Sequence, residues 1–213
     1  MKLLLSFMLA GGLVAALGAQ AQQRAPSEAP TAEQRLAEDI SPERLPTGTN
    51  YQNNALLLQN GTGNNARIDQ QSLTGAGVNQ AYVEQVGAAN ALGLIQVGNG
   101  NTANTLQQGN GNQADLTQQG QGNTSALTQR GDNNRLTGLV AADRTELNIN
   151  QNGNNNQVSS EIRESQRSYT INQYGNNNSL KQVESNVQVV SGYTVEMRGS
   201  GINLTIEQGK IKP

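Results

Sequence analysis

A chain of 213 residues with only 34% hydrophobic residues is too poor in apolar material for the usual single oily core. It has no His and no Cys, which removes the commonest zinc ligands and the commonest general base, and its net charge of −2 offers no basic footprint for nucleic acid. The polarity comes instead from neutral Asn, Gln, Gly, Ser and Thr. That composition suits either an amide-rich disordered tract or stacked strands whose amides bond to copies of themselves.

Residues 1–21 read as a secretory signal. Lys2 supplies the positive start, Leu3 to Leu17 is mostly apolar, and Ala19-Gln20-Ala21 fits a small-x-small cleavage site. A transmembrane helix fits less well, because the apolar run is short and a polar segment follows. The mature chain is expected to be secreted and to fold without disulfides. Residues 22–50 form a flexible, proline-broken arm (Pro26, Pro30, Pro42, Pro46) with acidic clusters at Glu33, Glu38, Asp39 and Glu43. Within it Thr31 to Ile40 could form one short helix, with Thr31 as cap and Gln34 closing a capping box.

Residues 51–213 carry an eleven-residue clock. Its amide falls at Gln59, Gln70, Gln85, Gln96, Gln107, Gln118, Gln129, Gln151 and Gln173. A leading Asn opens each unit, at Asn53, Asn64, Asn79, Asn90, Asn101, Asn112, Asn123, Asn134, Asn156 and Asn178. Between them every second position is constrained, as in Asn112, Ala114, Leu116 and Gln118, while the intervening positions vary freely. Period two with one constrained face predicts β-strands, and a helical period of 3.6 does not fit. Four-residue arcs join the units, with Gly two positions past the clock at Gly61, Gly87, Gly98, Gly109, Gly120, Gly131, Gly153 and Gly175. Glycine takes the positive φ that so tight a reversal requires.

One arc, Gln71 to Val78, is longer than the others; past it the reading holds the clock without a slip to the end. Val140, Ile162, Glu184, Val195 and Ile206 then stand where the clock amide should be, and Arg167, Val189 and Ser200 at or near the leading Asn. On this reading the last coil, 186–213, is degenerate and lacks a clock Gln.

Two strands and two arcs make one coil, so the expected fold is an all-β, two-sheet β-solenoid of about seven coils, about 34 Å tall at the usual strand spacing. Each coil buries a thin apolar stripe that becomes a core only on stacking. A lone buried amide is costly, but stacked on its own kind it donates to one neighbour and accepts from the other. The ladder of amides is thus the candidate site, and no catalytic, cofactor-binding or metal-binding residue is expected. Asp115, Asp132, Glu84 and Glu146 fall at outward or arc positions and read as solvating charges, and the Gly-x-Gly of "GNGNTA" precedes a strand rather than the helix a phosphate loop needs.

The unit Gln-x-Gly-x-x-Asn-x-Ala-x-x-x-Gln stands intact at 59–70, 96–107 and 107–118, and with Leu or Ser at the Ala position at 85–96 and 118–129. It strongly resembles the curlin repeat over residues 51–185, and "NQAYVEQVGAANALGLIQ" is closer to the minor, nucleating curlin than to the major one. The resemblance implies a secreted, self-assembling subunit of curli-type amyloid fibres at the cell surface, serving adhesion and biofilm. Its partners would be further copies, a second curlin and a dedicated outer-membrane secretion pore, with no nucleic acid or small-molecule substrate. The alternative from composition is a monomeric polar solenoid that binds ice or polysaccharide, which would call for a regular outward ladder that the sequence lacks.

Overall fold

The computed structural model describes residues 53–72, 77–185 and 191–209. The signal at 1–21, the arm at 22–50 with its short helix, and Val189 lie outside the described residues.

Fourteen strands follow one another with no helix between them among the described residues. In chain order they are β1 (Asn54–Thr62), β2 (Asn65–Gln71), β3 (Gln80–Ala88), β4 (Ala91–Asn99), β5 (Thr102–Asn110), β6 (Gln113–Gln121) and β7 (Thr124–Arg130). Then come β8 (Arg135–Ala141), β9 (Glu146–Asn152), β10 (Gln157–Ile162), β11 (Ser168–Tyr174), β12 (Ser179–Ser185), β13 (Thr194–Arg198) and β14 (Asn203–Gly209). The odd-numbered strands stack in order into one seven-stranded sheet and the even-numbered strands into another. Every pairing is parallel and in register, because each strand lies on the one a coil earlier. This is the two-sheet β-solenoid, seven coils high.

Register follows the amides. Gln59 pairs with Gln85 across 26 residues, as the long arc from Gln71 to Val78 requires. From there the step is 22 residues, as from Gln85 to Gln107. The expectation of a clean clock to the end fails at the last coil. Gln173 pairs with Met197 and Gln182 with Ile206, a step of 24 residues. Val195 and Ile206 are therefore not clock positions; Met197 and Gln208 are, with Gln208 opposite Glu184. The last coil has a clock Gln after all. Likewise Ser200 lies in the arc, and Ile202 takes the place of the leading Asn, its N–H donating to Asn178 Oδ1 at 3.0 Å.

The core is the stripe between the sheets, including Ala81, Val83, Leu94, Leu116, Leu127, Leu147, Ile149 and Ile171. In the even sheet the stripe shifts toward the strand ends after β6. Gly138, Ser160 and Gln182 take the slot of Leu94 and Leu116, while Val140 and Ile162 fill the amide slot beside them. The apolar volume lost at one position is thus returned two residues later, at the position whose side chain points the same way. Glu84 departs from its expected role: it faces outward yet is buried, and so is its neighbour Tyr82.

Candidate assembly site

The site is built at the corners of the coil, where a strand ends and the chain turns. From β1 to β11 each odd strand ends with a Gln side chain that points inward. Its Nε2 donates to the Oε1 of the Gln one coil above, through Gln59, Gln85, Gln107, Gln129, Gln151 and Gln173, at 2.6 to 3.0 Å. The second hydrogen of Nε2 crosses to the opposite sheet; Gln107, for example, reaches the Ala91 carbonyl at 3.0 Å. From Gln85 to Gln173 both amide hydrogens are used, so these side chains lie buried without an unmet donor. The even sheet starts the same ladder from Gln70 through Gln96 to Gln118. Val140 follows, and there Gln118 turns to the Ser125 hydroxyl at 2.9 Å.

The leading Asn residues make a second ladder. Each Oδ1 accepts the backbone N–H of the residue one coil above, and in the interior rungs the Asn Nδ2 as well, as Asn90 does from Asn112 at 3.1 Å for both. The other Nδ2 hydrogen goes upward to the carbonyl of the arc glycine; Asn112 reaches Gly131 O at 2.7 Å. Those glycines hold φ from 105° to 127°, and a Cβ on any of them would collide with the carbonyl of the residue stacked above. Glycine is required twice there, for φ and for closeness.

Taken around the coil, the two ladders are unequal. The long Gln ladder ends the odd strands and the long Asn ladder, from Asn64 through Asn90, Asn112, Asn134 and Asn156 to Asn178, begins the even ones. Both flank the same arcs, so one edge of the solenoid carries the intact motif through six coils. Its arcs also hold an outer ladder: Asp132 and Asn154 each accept the N–H of the arc below at 2.8 Å. On the opposite edge, where even strands lead to odd ones, the glycines give way to Ala142 and Glu164 and the leading Asn to Thr145 and Arg167. Thr145 keeps the bonding pattern with a hydroxyl in place of the amide. Its N–H donates to Asn123 Oδ1 at 3.0 Å and its Oγ1 to Glu164 O at 2.7 Å.

All the expected ladder amides and arc glycines lie at these corners, with Asn53, Gln59, Asn64 and Gln70 in the outermost coil and less covered than the rest. Sequence reasoning missed Thr145 and Ser125, which carry on or close a ladder with a hydroxyl, and Met197, which ends one. It also missed the cluster around Glu184. That carboxylate fills an inward amide slot, is buried, and accepts a hydrogen bond from the Tyr193 hydroxyl. Burial raises its pKa above the ordinary carboxylate value. Tyr193 packs edge-on against Tyr169 with ring centroids 5.2 Å apart. Burial pushes the Tyr169 hydroxyl up to about 12, and Tyr193 is raised by its own burial and by Glu184.

Residues 98–131, which span the three central strands β5 to β7 and the arcs around them, match the family model described as the Curlin associated repeat. No curated protein and no solved structure matches the chain. The match on the repeat supports the curlin family.

Proposed function

We propose that this chain is a secreted structural subunit that adds to further copies of itself, edge strand to edge strand, to build an extracellular amyloid fibre of the curli type. The observation that carries this reading is the outermost coil. β1 and β2 are the last strands of their sheets, and they present the same Asn and Gln corners that pair coil to coil inside the solenoid. Gln59 and Gln70 each donate to the Gln oxygen of the coil above, so their own oxygens are what a further copy would meet. Soluble proteins blunt such edges with prolines, bulges or inward charges, and β1 and β2 have no proline and no bulge in their pairing. A dedicated outer-membrane pore and a second curlin complete the proposed set of partners, with adhesion and biofilm as the role of the fibre.

Mature chain diluted from denaturant tests this. It is expected to bind a thioflavin-type dye and to form fibres that diffract at 4.7–4.8 Å along the axis and near 10 Å across it. A chain that keeps its strands but stays monomeric for days at high concentration overturns the proposal and returns the surface-binding solenoid to first place.

A further inference from the structure

We propose that Asn60 is a modification site: in the unassembled chain it deamidates through the Gly61 backbone nitrogen, and a copy docked beneath β1 shuts the reaction off. The dipeptide Asn-Gly occurs four times, at Asn60, Asn99, Asn110 and Asn152. Asn60 and Asn152 stand at the same corner of the coil. Each directly follows a clock Gln in an odd strand, both residues are exposed, and Gly61 and Gly153 hold φ of 119° and 127°. What differs is the nitrogen that would attack. Gly153 N–H donates to the Arg130 carbonyl one coil below at 2.9 Å, and Gly131, Gly175 and Gly199 donate downward in the same way. Gly61 lies in β1, whose one neighbour in the sheet is β3 above it. The same register turns the Gly61 N–H to the open side, where no described residue accepts it. Asn110 is held on all sides: its Nδ2 donates to Asp132 Oδ1 at 3.1 Å and its Oδ1 accepts from Ala88 N–H at 3.1 Å. Gly111 N–H in turn donates to the Ala88 carbonyl at 2.9 Å. Asn99-Gly100 belongs to the other edge, at the end of β4.

The chemistry needs only water and hydroxide. Hydroxide takes the Gly61 amide proton, and the nitrogen attacks Asn60 Cγ. The N–Cγ bond forms, the Cγ–Nδ2 bond breaks, and the amide leaves as ammonia with a proton from water, closing a cyclic imide. Water then adds to one imide carbonyl and breaks its bond to the nitrogen. Opening at Cγ gives aspartate; opening at the Asn60 backbone carbonyl gives isoaspartate, whose main chain runs through Cβ. Glycine has no Cβ to obstruct the attack. A nitrogen that already donates must first be freed from its carbonyl, and an edge strand paired on one side opens at less cost than an interior one. Either product places a carboxylate on the strand that would meet the next copy, and isoaspartate also lengthens its backbone. The shut-off rests on the proposed fibre, in which a further copy lies beneath β1 as β7 lies beneath β9.

The test follows the mature chain, kept dilute and unassembled at mildly alkaline pH, by mass spectrometry of its peptides. Asn60 is expected to convert about tenfold faster than Asn152, the order of factor that one retained hydrogen bond withholds. In strong denaturant the two rates are expected to converge, since Gln precedes and Gly follows each of them. Equal rates in the folded chain overturn the proposal. So does a gap that persists in denaturant, which would place the cause in the local sequence and not in the open edge. In fibres Asn60 is expected to lose its excess over Asn152, and an unchanged rate there overturns the shut-off. Failure to form fibres overturns the proposed function and the shut-off with it, while the comparison made before assembly still decides the modification site.

Discussion

Gln173 Nε2 lies 3.6 Å from the sulfur of Met197, whereas each Gln below it in the odd sheet donates to another amide. A thioether is a weak acceptor and has no hydrogen to pass on. In a head-to-tail stack of copies, Met197 would face the Gln59 oxygen of the next chain and leave it without a donor. Gln208, in the even sheet, could still serve Gln70. Met197→Gln, a change of similar volume, should extend the ladder to the end of the solenoid and repair the junction by about 1 kcal/mol. Seeded elongation is expected to quicken several-fold. Unchanged elongation would mean that β13 takes no part in the junction.

Gln107 shows what one interior rung holds. It accepts from Gln85, donates to Gln129 and crosses to the Ala91 carbonyl. Gln107→Ala leaves a buried donor and buried acceptors unmet, at a cost of about 1–3 kcal/mol for each group. Gln118→Ala does the same to Gln96 and to the Thr102 carbonyl. Gln113→Ala removes only side-chain bonds at the surface, to Asp115 and from Arg135, and should do little. The midpoint of denaturant dissociation should fall for the first two and stay put for the third.

The two edges should differ in their need for glycine. Gly131 has φ 105°, its carbonyl accepts from Asn112, and a Cβ there would meet the Gly153 carbonyl. Gly131→Ala should therefore cost about 1–3 kcal/mol, the usual scale for a residue forced into a disfavoured region. Ala142 holds the matching place on the other edge but is not among the residues at positive φ; only Arg144, the counterpart of Asn133, is so in that arc, at 52°. Ala142→Gly should be close to neutral. Thermal or denaturant unfolding of the unassembled chain separates these outcomes.

The solenoid was legible because amide, glycine and alternation repeat together. Gln59 finds Gln85 even across the longer arc from Gln71 to Val78, since only that step lays amide on amide and Gly61 on Gly87. The second slip was hidden for a physical reason. A two-residue insertion keeps the alternation, so Val195 and Ile206 still read as inward and the period could not expose the error. The signal that does expose it is Gly199, two residues past Met197 as Gly175 is past Gln173. Its N–H bonds to the Tyr174 carbonyl. The burial of Tyr82 and Glu84 had no such signal, because alternation assigns a side chain to a face and says nothing of what lies over that face.

Glu184 makes the top of the solenoid sensitive to pH. It stands in the slot that Gln occupies in the even strands β2, β4 and β6, and burial disfavours its charged form, raising its pKa from the ordinary 4.5. The hydrogen bond donated by Tyr193 pulls the other way without cancelling the burial. A carboxyl raised in the folded state holds its proton longer than in the unfolded chain. Between the ordinary and the raised value the folded state binds more protons, so stability falls as pH climbs through that window and stays lower above it. Glu184→Gln keeps an oxygen for the Tyr193 hydroxyl and removes the charge. The variant should protect the backbone amides of β12 and β13 better than the parent above the window, and equally well below pH 4.5, where the parent's carboxyl is protonated in both states. Hydrogen exchange of those strands across the range, corrected for intrinsic rates, reads the difference. A parent whose protection rises with pH in this window would show that the charged form is the favoured one and that the Tyr193 hydrogen bond outweighs burial.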